Sequence, residues 1–179
     1  MINLADTLKS RTGEAPPNWQ DTVTLRVKKS DFKLENSKGN PMTTLTCEIV
    51  EPDKVSWLGT VYDLSSVEVP LYMIYTNKLS GGQRKSGLQL IAEMHSKLDL
   101  PLEIDENNPD RKIYEGLTFR ILVKSSERKM QRSTVNEDGA KIREDVLGED
   151  GQPVKQGWQL TANLDDIIGK AVYTGNKAF

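Results

Sequence analysis

Thr22-Val23-Thr24-Leu25-Arg26-Val27-Lys28-Lys29-Ser30-Asp31-Phe32, linked by Ser37-Lys38-Gly39-Asn40 to Met42-Thr43-Thr44-Leu45-Thr46-Cys47-Glu48-Ile49-Val50, decides the fold of this chain. The first run alternates, with Val23, Leu25 and Val27 on one face and Thr24, Arg26 and Lys28 on the other. A period of two suits a strand buried on one side and does not suit a helix. The second run repeats it, with Leu45, Cys47 and Ile49 on its apolar face. Glycine and asparagine in the link supply turn chemistry, so the two runs form a hairpin.

Working outward, residues 67–76 read as a third strand. Val67, Val69, Leu71, Met73 and Tyr75 line one face, and Glu68, Pro70, Tyr72, Ile74 and Thr76 the other. Pro70 has no N–H to donate, which places this strand at a sheet edge or a bulge. Residues 87–98 read as a helix with Leu88, Ile91, Ala92, His95 and Leu98 in one buried stripe. Residues 117–125 alternate again, with Leu117, Phe119, Ile121 and Val123 opposite Thr118, Arg120, Leu122 and Lys124. Asp138-Gly139, between residues 131–135 and 140–143, predicts a projecting hairpin, and residues 157–162 a closing strand.

Three strands, one helix and further strands predict a mainly β protein: an OB-fold-like five-stranded barrel, with one helix between strands 3 and 4 and a projecting β-hairpin. Residues 1–21, broken by Arg11-Thr12-Gly13-Glu14-Ala15-Pro16-Pro17, form a flexible N-terminal arm that Trp19 would pin. Residues 22–162 form the barrel domain, with the hairpin inserted at about 126–156. Residues 52–66, holding Trp57, Gly59 and Tyr62, read as a connection. Residues 163–179 form a C-terminal tail, in which Leu164, Ile167 and Ile168 suggest one helical turn. No internal repeat or low-complexity tract appears.

The 179 residues suffice for one domain with a real core. No apolar run approaches the length of a membrane span and no basic-then-apolar leader opens the chain, so no membrane partner is expected. The lone cysteine, Cys47, lies on the apolar face of its strand and reads as a reduced, buried residue of a cytoplasmic protein, the host cytoplasm if the protein is viral. A net charge of −2 argues against a general nucleic-acid coat, but the charge is segregated. In the first hairpin Arg26, Lys28, Lys29, Lys33 and Lys38 outnumber Asp31 and Glu35. Residues 76–90 hold Lys78, Arg84 and Lys85 without an acid, and Lys124, Arg128, Lys129 and Arg132 surround Glu127. Acids collect in residues 99–110 and 144–150. Such segregation can place a basic groove on an acidic body.

Leu79-Ser80-Gly81-Gly82-Gln83-Arg84 spells the signature of ABC-type ATPases, but no GxxxxGK[ST] loop accompanies it, so ATP hydrolysis is not expected. Gly81, Gly82, Arg84, Lys85 and Ser86 at a helix start would still suit an anion. His95, the only histidine, reads as packed rather than catalytic. Asp105, Glu106 and Asp110 lack calcium-loop spacing, and Asp165-Asp166 lacks the partners of a two-metal site. No enzyme activity, metal or cofactor is expected.

Several segments resemble the OB-fold single-stranded DNA-binding proteins of tailed phages. They are Thr22-Val23-Thr24-Leu25-Arg26-Val27-Lys28, Gly39-Asn40-Pro41-Met42 running into Leu45-Thr46-Cys47-Glu48-Ile49-Val50, the helix 88–98, and Tyr114-Glu115-Gly116-Leu117-Thr118-Phe119-Arg120-Ile121. The resemblance implies a non-enzymatic protein that binds single-stranded DNA in phage replication or recombination. Its partners would be single-stranded DNA and replication or recombination proteins, and it could form a homo-oligomer. Single-strand binders stack bases on aromatic rings while cations follow the phosphates. On that pattern Arg26, Lys28, Lys33, Arg84, Lys85, Lys124 and Arg128 are expected at phosphates, and Tyr72, Trp57 and Phe32 at bases. The other reading is a protein-interaction or virion-assembly β-barrel module joined through the edge at 67–76 and the hairpin around Asp138.

Overall fold

A computed structural model describes residues 4, 8–79, 81–105, 107, 109 and 111–171. In chain order the strands are β1 (Lys9–Thr12), β2 (Gln20–Lys33), β3 (Met42–Glu51), β4 (Lys54–Trp57), β5 (Thr60–Asp63) and β6 (Glu68–Ile74). The helix α1 (Gly87–Lys97) follows, then β7 (Thr118–Lys129), β8 (Gln131–Val135), β9 (Lys141–Asp145), β10 (Lys155–Thr161) and β11 (Ile167–Lys170). Short 3-10 turns lie at Arg111–Ile113 and Leu164–Asp166.

The main sheet runs β10-β7-β2-β3-β6, antiparallel throughout, and β11 shares the edge of β7 with β10. Its register sets apolar residues opposite one another: Leu25 faces both Ile49 and Phe119, Leu45 faces Leu71, and Cys47 faces Val69. All are buried on the inner face, where removal of their apolar area from water stabilises the sheet. Register shifts between Val27 and Lys29, so Lys28 and Lys29 are both exposed and the buried series resumes at Ser30. As Pro70 suggests, β6 ends the path and pairs with β3 alone. The chain is mainly β, as expected. The expected closed barrel is corrected: none of the sheets among the described residues closes, and no ladder joins β6 to β10.

The stretch read as a plain connection is structured. Residues 52–66 contain β4 and β5, a hairpin that turns on Leu58 (φ 48°) and Gly59 (φ 78°). Both positive angles belong to a tight two-residue turn that normally carries Asn-Gly, and Leu58 hides that signal. β1 adds in parallel to β5 with all four of its residues exposed, and Trp19 is buried. The insertion at 126–156 is also narrower than expected, because β7 and β10 continue into it. At its base Met130 N–H donates to Val154, Val146 N–H to Met130 and Val154 N–H to Val146, a closed ring of backbone hydrogen bonds. In the tail the 3-10 turn at Leu164 is followed by β11; Leu164 and Ile167 are buried and Ile168 is exposed. Residues 172–179 lie outside the described part.

Packed against β6 and β11, α1 buries Ile91, Met94 and His95, with Leu98 at its C-terminal cap. Ala92, expected in this stripe, is exposed, and Met94 takes its place because the buried face is rotated by part of a turn. At the helix start a Cβ on Gly87 would lie 1.9 Å from the Ile74 carbonyl oxygen, so only glycine permits this approach. His95 is buried and its Nδ1 bonds to the Pro101 carbonyl. Its Nε2 pairs with the Tyr114 hydroxyl at 2.8 Å. Tyr114 bonds Tyr75, whose hydroxyl lies 2.8 Å from Thr43 Oγ1. Such a relay satisfies polar groups the core could not otherwise hold.

Candidate functional site

Strand alternation on an edge strand puts Tyr72 outside while Leu71 and Met73 are fully buried; Tyr72 is 54% exposed, a large ring displayed to solvent. Two grooves meet at it. The first, about 420 Å³, runs past Asn36, Lys38 and Asn40 of the β2–β3 turn, Ile74 of β6, and Lys78 and Gln83 of the loop before α1. The second, about 580 Å³, is bounded by Thr46, Pro70 and Gln159 and by Arg128, Lys129, Gln131 and Arg143 of the β7–β10 region. A basic rim therefore lies at both ends of a track centred on an aromatic ring.

The β2–β3 turn is built by Asn36. Its Oδ1 accepts from Lys38 N–H at 2.9 Å and Asn40 N–H at 3.0 Å, and Gly39 takes φ 78°. Met42 pairs with Ile74 at the end of the β3–β6 ladder and Tyr75 N–H donates to the Pro41 carbonyl, beyond which Lys38 and Asn40 of the turn and Thr76 and Lys78 line one groove. The β8–β9 turn repeats the device: Asn136 Oδ1 accepts from Asp138 and Ala140. Gln131 and Arg143 alternate onto the same face of the hairpin, and both line the second groove.

Acids in the groove walls are already engaged by cations. Glu68 lies 3.7 Å from Lys28, and Glu127 pairs with Lys155. Lys129 is 3.6 Å from Asp145. Lys38, Lys78, Arg128 and Arg143 make no ion pair with a described residue.

Of the residues expected at the site, the structure brings Tyr72 and Arg128 to the grooves. Lys28 reaches the rim only through Glu68. Arg26 is half-buried and its guanidinium is held by Glu48 across the β2–β3 pair, with Nε at 2.7 Å. Lys33, Arg84 and Lys124 are exposed but line neither groove. Trp57 is half-buried and its Nε1–H donates to the Pro17 carbonyl at 2.8 Å. Phe32 packs edge-on to Tyr75, ring centres 6.2 Å apart. Both rings serve the packing of the β1-β5-β4 layer and the core.

The anion site expected at the helix start is filled by the chain itself. Ser86 Oγ accepts from Gln89 N–H, Gln89 Oε1 accepts from Ser86 N–H, and Leu88 N–H donates to Thr76. Lys85 bonds Glu93 at 2.9 Å and Asp165 at 3.3 Å, and the Glu93 bond foremost holds its pKa above the ordinary lysine value. Ser80 of this segment is outside the described residues, as are Glu106 and Asp110. Among the described residues no group of three or more His, Cys, Asp or Glu converges as a metal site would require, and no helix is long and apolar enough to cross a membrane.

Lys38, Lys78, Lys129 and Arg143 are the groove residues that strand-by-strand selection missed. For Lys38 and Lys78 a partial signal lay in the β3–β6 pairing, which ends at Met42 and Ile74 and so leaves the chain on either side of the first groove. Searches of protein-family models, curated proteins and solved structures give no match to this chain.

Proposed function

We propose that this chain is a non-enzymatic single-stranded DNA-binding protein of OB-like architecture, acting in DNA replication or recombination. Tyr72 carries the reading: an exposed ring at the junction of two grooves, with Lys38 and Lys78 beyond one end and Arg128, Lys129 and Arg143 beyond the other. A stack-and-track surface of this kind suits a flexible strand, whose bases are free to stack and whose phosphates are evenly spaced. The β10-β7-β2-β3-β6 path supports the OB-like part. Such folds are partly open Greek-key barrels that hold oligonucleotides on the face of their second and third strands, between the first hairpin turn and the last. Here those strands are β3 and β6, and the flanking loops are the turn at Asn36 and the β8–β9 hairpin.

Titration of a labelled oligo-dT with Tyr72→Ala and Trp57→Phe tests the assignment. Loss of Tyr72 weakens binding by about 1–3 kcal/mol without lowering Tm. Trp57→Phe lowers Tm through the lost Pro17 bond and leaves affinity for the folded protein unchanged. The reverse pattern would move the stacking platform away from β6.

A second reading, a protein-interaction or virion-assembly module, draws on the β8–β9 hairpin. It pairs only with itself and exposes Val135 at 65%. Mass measurement without DNA, before and after trimming residues 131–145, separates the two, because only the assembly module changes oligomeric state.

A further inference from the structure

The first groove differs in chemistry from the second. Its lining joins apolar Ile74, Leu79 and Leu90 and the Tyr72 ring to Lys38 and Lys78, with no carboxylate among the described lining residues. Two acceptors in this lining are occupied. Asn36 Oδ1 takes two backbone N–H groups of its own turn, and Thr76 Oγ1 accepts from Lys78 N–H at 3.2 Å. The Asn36 side chain therefore has only its Nδ2–H2 donors left for a ligand. The Asn40 side chain carries an amide that can present either group.

We infer that this groove is a base-selecting subsite that takes a purine and prefers guanine to adenine, so that the strand is bound with a compositional bias. The inference rests on the single-stranded DNA reading above. An apolar lining next to an aromatic ring fits a nucleobase, and the donors of Lys38, Lys78 and Asn36 fit the base edge with adjacent acceptors. Guanine presents N7 and O6 side by side, whereas adenine replaces the second acceptor with an amino donor that would face Lys38, Lys78 or Asn36 Nδ2. A phosphate alone would use the lysines and leave the apolar lining unused. The occupied Asn36 oxygen makes the preference a property of the turn: the bonds that fold Ser37-Lys38-Gly39-Asn40 also decide which end of the amide is free.

The test uses three fifteen-mers, all-dT, dT-dT-dG repeated and dT-dT-dA repeated, so that a purine recurs in every binding register. The intact chain is expected to bind the guanine repeat about tenfold more tightly than the adenine repeat, the scale of one good base-edge contact. Asn36→Asp keeps the oxygen that accepts from Lys38 and Asn40 but replaces the amide donor with an acceptor. It is expected to lose or reverse the ratio, and because the new carboxylate also weakens binding of all three fifteen-mers, the readout is the ratio and not the absolute affinity. Lys78→Gln, at an exposed position outside the turn, is expected to reduce the ratio as well and guards against a misfolded Asn36 variant. Equal affinity of the intact chain for both purine repeats overturns the subsite and leaves strand binding standing. So does an undiminished ratio in both variants. Failure of all three oligomers to bind overturns strand binding itself, and the subsite with it.

Discussion

Cys47 shows how one buried side chain leaves a signature in solution. Strand alternation places it on the inner face of β3 opposite Val69, fully buried, and burial pushes its thiol pKa up to about 12 from 9.0. Burial also raises Tyr75, against the opposing hydrogen bonds from Thr43 and Tyr114. Both folded-state values lie above the unfolded ones. Their stabilising effect is therefore complete below the unfolded pKa and is lost as pH rises, because only the unfolded chain releases these protons. Tm is expected to fall from about pH 9 upward, and more gently in Cys47→Ala, which retains the contributions of Tyr75 and of the paired Lys85. An equal alkaline slope in both proteins would show that the thiol is not insulated. The same alternation separates Tyr72 from Leu71 and Met73, so the outward ring is legible in the sequence. The partners that tie Arg26 to Glu48, Lys85 to Glu93 and Trp57 to Pro17 were not, because each joins residues that are distant in sequence or depends on side-chain reach.

At the scale of the element, the β4–β5 hairpin and the α1–β6 contact each hinge on one backbone position. Leu58 is 83% exposed and held at φ 48°, a conformation that costs an ordinary L-residue roughly 1–2 kcal/mol. Leu58→Asn relieves that strain without touching the core, and thermal unfolding is expected to show a gain of up to about 1 kcal/mol. No gain would mean that the turn relaxes to accommodate leucine. Gly87→Ala acts in the opposite direction. Its methyl would overlap the Ile74 carbonyl, and overpacking of this kind destabilises by about 1–3 kcal/mol. Urea unfolding measures it, and an unaltered midpoint would contradict the close approach. These two sites also explain the uneven legibility of elements. The β2–β3 hairpin announces itself through period-two alternation and a Gly-Asn turn, and the helix through its apolar stripe. β4 and β5 are short, their turn carries leucine where asparagine is usual, and β1 and β11 are fixed only by the strands they join.

For the whole molecule, the two end strands of the sheet path, β6 and β10, flank the second groove, and Tyr72 of β6 stands where that groove meets the first, with cations beyond each. Composition alone pointed away from nucleic acid, with a net charge of −2. Folding reverses that local balance, because Glu68 and Glu127 are engaged by Lys28 and Lys155 while Lys38, Lys78, Arg128 and Arg143 remain outside ion pairs with described residues. Charge segregation was visible in the chain, but its convergence needed the ladder register. The most direct measurement is a salt-series titration of the intact protein with a fluorescent single strand and the matching duplex. Single-strand binding is expected, with a logarithmic affinity that falls with log salt at a slope of about −3, from Lys38, Lys78, Arg128 and Arg143 each neutralising one phosphate. Clearly weaker binding of the duplex is expected as well, because its paired bases cannot stack on Tyr72. Absence of single-strand binding at low salt, or equal affinity for strand and duplex, would contradict a stacking site on β6.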